Sequence, residues 1–330
     1  MQVAVARWGW MLFKLLVAGG VVWFLVSQGK LDLSIFLDGG IGADIVVVAL
    51  ICNFAMISLT SLRWQFLLAS QKISLPFSWV HSITYLSMFF NLLIPGSVGG
   101  EALRLNYTFK SVPGRKSAVI LTVFADRVIG LYGLFVLSLV GLLISLPTVM
   151  AVTPLKVAMV TITAIVVGGP LFAILLLLLL PRISWLRSYI YTPQDSRVWS
   201  IINSVVDVLR HFIRAKLRLL FTLLISISAH TIEVFALIWI AMRLDMMAIT
   251  VEGFYVATPL AWMANIIPIS PGGIGVGEVA FDQICHWLQP TQAAVAFSTI
   301  FFINRIFMMV ASLPGFFVYI FYKQKNLVST

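Results

Sequence analysis

The sequence predicts an all-α integral membrane protein with six full transmembrane helices and two opposed re-entrant helical hairpins, arranged as an inverted repeat. Three observations carry that prediction. Of 330 residues, 61% are hydrophobic and only 10% charged, with a mean hydropathy of +1.04, whereas a soluble domain carries roughly 25% charged residues. Apolar stretches of about 20 residues, the length that crosses a bilayer, recur along the chain. Two of them are interrupted by proline and glycine, at Asn91–Glu101 and Asn265–Glu278. Broken backbone at membrane depth is tolerated only against protein or a water-filled cavity, so each break marks a candidate site. No polar stretch is long enough for a separate soluble domain, and residues 1–330 read as one polytopic membrane domain.

Arg7 precedes an apolar run from Gly9 to Val26 that is long for a signal peptide and has no small-x-small cleavage pattern after it. It reads as a first helix over about 9–27. The loop Ser27–Ala43 carries Lys30, Asp32 and Asp38. A second helix over about 43–62 ends at Arg63-Trp64, which reads as an interfacial anchor pair. Phe77–Pro95 runs into the first break, where Pro95 removes a backbone donor and Gly96, Gly99 and Gly100 remove the side chains that stiffen a helix. Basic residues Arg104, Lys110, Arg115 and Lys116 follow, then a helix over about 117–146 containing Asp126 and Arg127, and another over about 155–180.

Residues 181–218 form the one long polar stretch. Within it Val198, Ile202, Val205, Leu209 and Phe212 recur at helical spacing, with polar residues between them. That pattern predicts an amphipathic helix over about 194–217, lying in the membrane interface or binding a partner. A helix over about 219–242 leads to the second break, built from Pro268, Ser270, Pro271, Gly272, Gly273, Gly275 and Gly277. A last helix spans about 291–322.

Basic residues set the orientation. If the N-terminus is cytoplasmic and each break returns to the side it entered from, 16 of the 22 lysines and arginines fall inside and 3 outside; the other 3 lie within helices. That bias follows the positive-inside rule and predicts cytoplasmic N- and C-termini. It also accounts for the net charge of +10 without a nucleic-acid partner.

The breaks belong to longer matching units, about 43–146 and about 219–322, joined by a linking part over about 155–217. Each unit has an asparagine (Asn91; Asn265), a glycine-rich break and a glutamate (Glu101; Glu278). Each continues with an Ala-Val pair (Ala118-Val119; Ala294-Val295) and an Asx-Arg pair (Asp126-Arg127; Asn304-Arg305). Glutamate and arginine are 26 residues apart in the first unit and 27 in the second. Three crossings separate the breaks, so the units have opposite orientation, a design found in secondary transporters. An arginine at the bilayer centre costs at least about 2.5–3.5 kcal/mol unless it is paired or faces water. Arg127 and Arg305 are therefore expected either in ion pairs with the glutamates or in a polar cavity, and the two readings are compatible. Half-helix N-termini and glycine N–H groups in such a cavity would favour a phosphate.

Other chemistry finds no support in the sequence. His230 and Glu233 share a helix face, but no third metal ligand is evident. The spacing of Gly273, Gly275 and Gly277 is not that of a dinucleotide-binding turn, and neither a P-loop nor a nucleophile elbow is present. Cys52 and Cys285 lie in apolar segments, where no disulfide is expected. No cofactor, metal or catalytic constellation is predicted.

The segments Pro95-Gly-Ser-Val-Gly-Gly-Glu101-x-x-Arg104, Asp126-Arg127-Val-Ile-Gly130 and Pro268-Ile-Ser-Pro-Gly-Gly-Ile-Gly-Val-Gly-Glu278 resemble the lysylphosphatidylglycerol synthase transmembrane-region family. These are flippase-like membrane domains, found within larger synthases, as stand-alone chains and beside glycosyltransferases. The resemblance covers roughly residues 10–320. It implies movement of a phospholipid or polyprenyl-phosphate-linked lipid between leaflets, with an anionic or phosphate-bearing headgroup as the partner. A glycosyltransferase or lipid-modifying enzyme is a further implied partner; oligomeric state leaves no signature. Two departures stand out. Glu101 replaces the aspartate that many members carry, and the soluble aminoacyltransferase domain of the synthases is missing, which leaves lysyl-lipid specificity open.

The expected headgroup site comprises Asn91, Glu101, Arg104, Asp126, Arg127, Asn265, Glu278, Asn304 and Arg305. The rival expectations are an enzyme acting on a lipid-linked sugar in cell-envelope biosynthesis and a membrane accessory subunit.

Overall fold

A computed structural model describes residues 16, 19–37, 39–93, 99–179, 216–267, 270–291 and 295–328. Among these residues there are helices and turns and no strand. Residues 19–27 form α1 and Ser34–Leu37 the short α2, followed by α3 (Ala43–Ser70), α4 (Phe77–Leu93), α5 (Gly99–Ser111) and α6 (Lys116–Ile144). Next come α7 (Leu146–Ala151), α8 (Thr153–Thr163), a π-turn at Ala164–Gly168 and α9 (Gly169–Leu179). The second half holds α10 (Lys216–Arg243), α11 (Val251–Ala264), a 3-10 turn at Pro271–Gly273, α12 (Val276–Leu288), α13 (Phe297–Ser312) and α14 (Pro314–Val328).

Five stretches are long and apolar enough to cross a membrane: Ala43–Ser70, Lys116–Ile144, Thr153–Phe172, Leu217–Arg243 and Phe297–Phe321. They coincide with five of the six expected crossings, and the protein is a multi-pass helical membrane protein. The remaining expected crossing, about 9–27, lies partly outside the described residues, which hold its C-terminal part as α1. Asp38, the Pro95 and Gly96 of the first break, Pro268 of the second, and nearly all of the expected amphipathic helix at 194–217 lie outside the described residues.

Three boundaries differ from the sequence reading, each for a physical reason. The second helix continues to Ser70 instead of ending near residue 62, because Trp64, Leu67 and Leu68 extend its buried face at helical spacing. Arg63 and Trp64 are therefore not interfacial anchors; both are buried. The stretch 155–180 is not one regular helix. Its π-turn places the Val166 carbonyl 2.8 Å from the Tyr132 hydroxyl, which donates to it. The last helix starts at Phe297 and breaks at Leu313, because Pro314 has no N–H to continue the ladder.

The helices pack by exchange between halves. α3 and α10 form the most extensive contact. The helix after each break packs on the arm that enters the other: α6 lies on α11, while α13 and α14 lie on α4. Buried apolar side chains such as Ile45, Ala49, Val234, Leu237, Phe254, Phe281 and Phe301 fill the space between the halves. The outward faces of α6, α8 and α9 keep Phe124, Val157, Val160 and Phe172 exposed, the composition that lipid requires. This arrangement brings the two breaks toward one another: the 3-10 turn of the second touches α4, the entering arm of the first.

Candidate functional site

The second break is the simpler of the two. α11 ends at Ala264 with Asn265 as its C-cap, and the chain then reverses through Gly272, Gly273 and Gly275, all at positive φ (58°, 74° and 87°), where a Cβ would strain the backbone. α12 begins at Val276, and the Glu278 carboxylate in its first turn reaches back to accept the Gly275 N–H at 2.7 Å, capping the helix. Ser270 ties the turn by donating to the Ile274 carbonyl at 2.7 Å.

Into this turn Arg305 enters from α13. Its Nε pairs with Glu278 Oε1, Nη2 lies 3.2 Å from Glu278 Oε2, and Nη1 donates to the Gly272 carbonyl at 2.6 Å. Nη2 also reaches the Gly273 carbonyl at 3.3 Å and Asn265 Oδ1 at 3.4 Å. Rings of Trp262 and Phe301 stand 5.5 Å from the guanidinium carbon. Arg305 is 0% exposed, and the carbonyls freed by the broken helix are the groups it satisfies. Gly277 is required by close approach: a Cβ there would lie 2.6 Å from Asn265 Oδ1 and 2.8 Å from the Phe301 ring.

The first break carries the same parts in a richer setting. Asn91 Oδ1 accepts the Gly100 N–H at 3.0 Å. Glu101, in the first turn of α5, pairs with Arg127 from α6. One turn later Arg104 bonds Asp126 Oδ2 at 2.9 Å and sits 3.8 Å from Glu101. Arg63, from α3, donates to the other oxygen of Asp126 at 2.8 Å and to Ser226 on α10, also at 2.8 Å. The guanidinium of Arg104 lies 3.6 Å over the Trp64 ring.

Two carboxylates thus face three arginines, leaving one positive charge in excess. Arg104 is buried, yet its Nε and Nη2 have no hydrogen-bond partner among the described residues, and neither does Glu101 Oε2. Arg127 differs from Arg305 in exposure: 51% of its side chain is open, against 0%.

The predicted residues therefore fall into two clusters. Asn91, Gly100, Glu101, Arg104, Asp126 and Arg127 meet at the first break; Asn265, Glu278 and Arg305 meet at the second. Asn304 does not join either arginine; its Oδ1 accepts from Asn53 at 3.4 Å. Both expected arginine–glutamate pairs are formed. In this conformation, all the predicted charged residues except Arg127 and Glu101 are closed off from the surface.

Sequence reasoning missed two groups. Arg63 was hidden by ending α3 too early; the apolar spacing through Leu68 is the signal that would have placed it in the bilayer. Asp282, 0% exposed, stands one helical turn beyond Glu278 on the same face of α12 and pairs with Lys30 at 3.1 Å. The four-residue spacing from Glu278 was the available clue. Among the described residues no cluster of histidine, cysteine and carboxylate is arranged to hold a metal.

A family model described as lysylphosphatidylglycerol synthase TM region matches residues 11–312. No curated protein and no solved structure matches the chain.

Proposed function

The chain belongs to the lysylphosphatidylglycerol synthase TM region family, and from that premise we propose that it is a lipid transporter of the flippase type rather than an enzyme. It moves a phospholipid or a polyprenyl-phosphate-linked lipid between leaflets of the cell inner membrane. The observation that carries this reading is the pairing of two helix breaks, each closed by a glutamate and an arginine from the helix that follows. The excess positive charge at the first break suits a phosphate, which a neutral ion pair would not attract.

In this proposal the chain has six crossings, two re-entrant hairpins in an inverted repeat, and cytoplasmic termini. The described conformation is the closed one: Glu278 and Arg305 are sealed, and a headgroup path opens when the two breaks separate along the contact between α4 and the 3-10 turn. The headgroup follows the polar groups of both breaks while the acyl or prenyl tails remain in lipid. Arginines meet the phosphate, and the glutamates hold the arginines between cycles.

Transbilayer movement of labelled phospholipid and polyprenyl-phosphate probes in proteoliposomes tests this. Wild type should move at least one probe, and Glu278→Gln and Arg305→Ala, checked for folding by thermal melting, should lose the movement. If wild type moves no probe, or folded variants match it, the transport proposal fails.

A further inference from the structure

Beyond the two breaks lies a third group of ionisable side chains, fastening the segment after α1 to the helices that carry Glu278 and Arg305. Lys30 Nζ is 3.1 Å from Asp282 Oδ2 on α12. Its carbonyl accepts the Ser298 hydroxyl of α13, and the Asp32 N–H donates to Thr299 Oγ1, also on α13, at 2.9 Å. Leu25 and Leu31 are buried on either side of this turn. α1, which leads into it, rests on the second break itself. A Cβ on Gly275 would stand 2.5 Å from the Val21 side chain. Whatever holds Lys30 in place therefore holds α1 over the break.

Asp282 is wholly buried and has two basic neighbours. Lys30 approaches one oxygen, and His286, one turn further along α12, places Nε2 3.5 Å from the other. Neither oxygen has a hydrogen bond from any other described group. Besides these, the ionisable groups on the packed elements are few. On α12 they are Glu278 and Cys285; on α13 Arg305, committed to Glu278; on α11 Glu252 and Tyr255; and in the turn Asp32, committed to Ser34.

We propose that Lys30, Asp282 and His286 form a proton-operated latch that keeps α1 seated on the second break. With His286 neutral, Lys30 is the single counter-ion of a buried carboxylate and is held firmly. Imidazole is the side chain that changes charge between about pH 5 and 8. When His286 gains a proton, a second cation faces the same carboxylate, and the two cations repel across it. His286 is fixed on α12 and its ring abuts Phe297, with centroids 5.2 Å apart. Lys30, on a flexible stem with 38% of its side chain exposed, is the partner free to leave. The sign follows: the latch is closed while His286 is neutral and loosens when it takes up a proton. Acid on the side bearing Lys30 thus uncovers the second break to the surrounding lipid.

The latch stands without the transport proposal, because its readout is structural. Hydrogen–deuterium exchange of the full chain in lipid nanodiscs, corrected for intrinsic rates, reports on the Asp32 amide that bonds Thr299. In wild type the segment 28–34 should exchange about threefold faster at pH 5.5 than at pH 7.5, an effect of the size of a partly exposed ion pair. His286→Gln should stay protected at both values, and Lys30→Met should be unprotected at both. A flat wild-type profile overturns the latch. So does a His286→Gln profile that follows wild type, since another group would then titrate, and so does a Lys30→Met chain that stays protected.

Discussion

The two breaks use the same parts and arrive at opposite electrostatic states. At the second, one arginine meets one glutamate and two freed carbonyls, every nitrogen of Arg305 is engaged, and neither Arg305 nor Glu278 is exposed. At the first, three arginines surround two carboxylates, two nitrogens of Arg104 have no partner among the described residues, and Arg127 is half open. The difference lies in Asp126, which stands where the second unit has Asn304. An aspartate there can gather Arg63 and Arg104; an asparagine gathers neither and bonds Asn53 instead. A saturated cluster behaves as a fastening. A cluster with spare charge and spare donors has capacity for an anion. The second break is thus the anchor of the pair and the first the more adaptable member.

Asp126 gives the largest test of that contrast. Asp126→Asn leaves Arg63 and Arg104 buried without a full counter-charge. Breaking one buried pair by removing a partner costs about 3–5 kcal/mol, and here two arginines lose the same partner. The expected outcome is a chain that fails to accumulate as a folded, monodisperse protein in detergent, measured by fluorescence-detected size exclusion. A folded Asp126→Asn with near wild-type melting would show that the first cluster is solvated, and the contrast would collapse.

Next in size is Arg305→Met, which strands Glu278 and the Gly272 and Gly273 carbonyls. A loss of about 3–5 kcal/mol is expected, read as a lowered thermal midpoint. Arg305→Lys should recover little, because an ammonium cannot meet a carboxylate and two carbonyls with one planar fork. Full rescue by lysine would reduce the site to a point charge and remove the case for a shaped fastening. A smaller effect, about 1–3 kcal/mol, is expected for Gly277→Ala, whose new methyl must displace Asn265 or Phe301 from a packed position.

How far these clusters could be seen in advance depended on the kind of signal. The glycine and proline breaks, the glutamates and the distant arginines were legible because hydrocarbon forbids such residues without a partner, so each advertises the other. Arg63 was not legible because a basic-aromatic pair near an expected helix end has an ordinary explanation at the interface, and only packing showed that α3 runs on. Lys30 and Asp282 were invisible as a pair: they are remote in sequence, and nothing in local periodicity links a loop lysine to a helix in the other half of the chain. Exposure was also out of reach. Arg127 and Arg305 occupy matching positions in matching motifs, yet one is half open and the other sealed, a difference set by which neighbouring helix covers each.

That difference makes Arg127 the smallest effect on stability and the sharpest test of the contrast. With half its side chain exposed, its pair with Glu101 is in the class of interactions worth about 0–1 kcal/mol. Arg127→Met should therefore melt within a degree or two of wild type, and raising the salt concentration should narrow the gap further. If the first break is the anion-receiving member, the same substitution should slow lipid movement in proteoliposomes several-fold despite intact folding, and Arg127→Lys should restore much of it. Arg305→Met separates the two roles less cleanly, because it lowers stability as well as removing the charge. A folded Arg127→Met chain with undiminished movement would mean that the open arginine is a surface pair like any other. The excess charge of the first cluster would then serve only to hold α3, α5 and α6 together through Asp126.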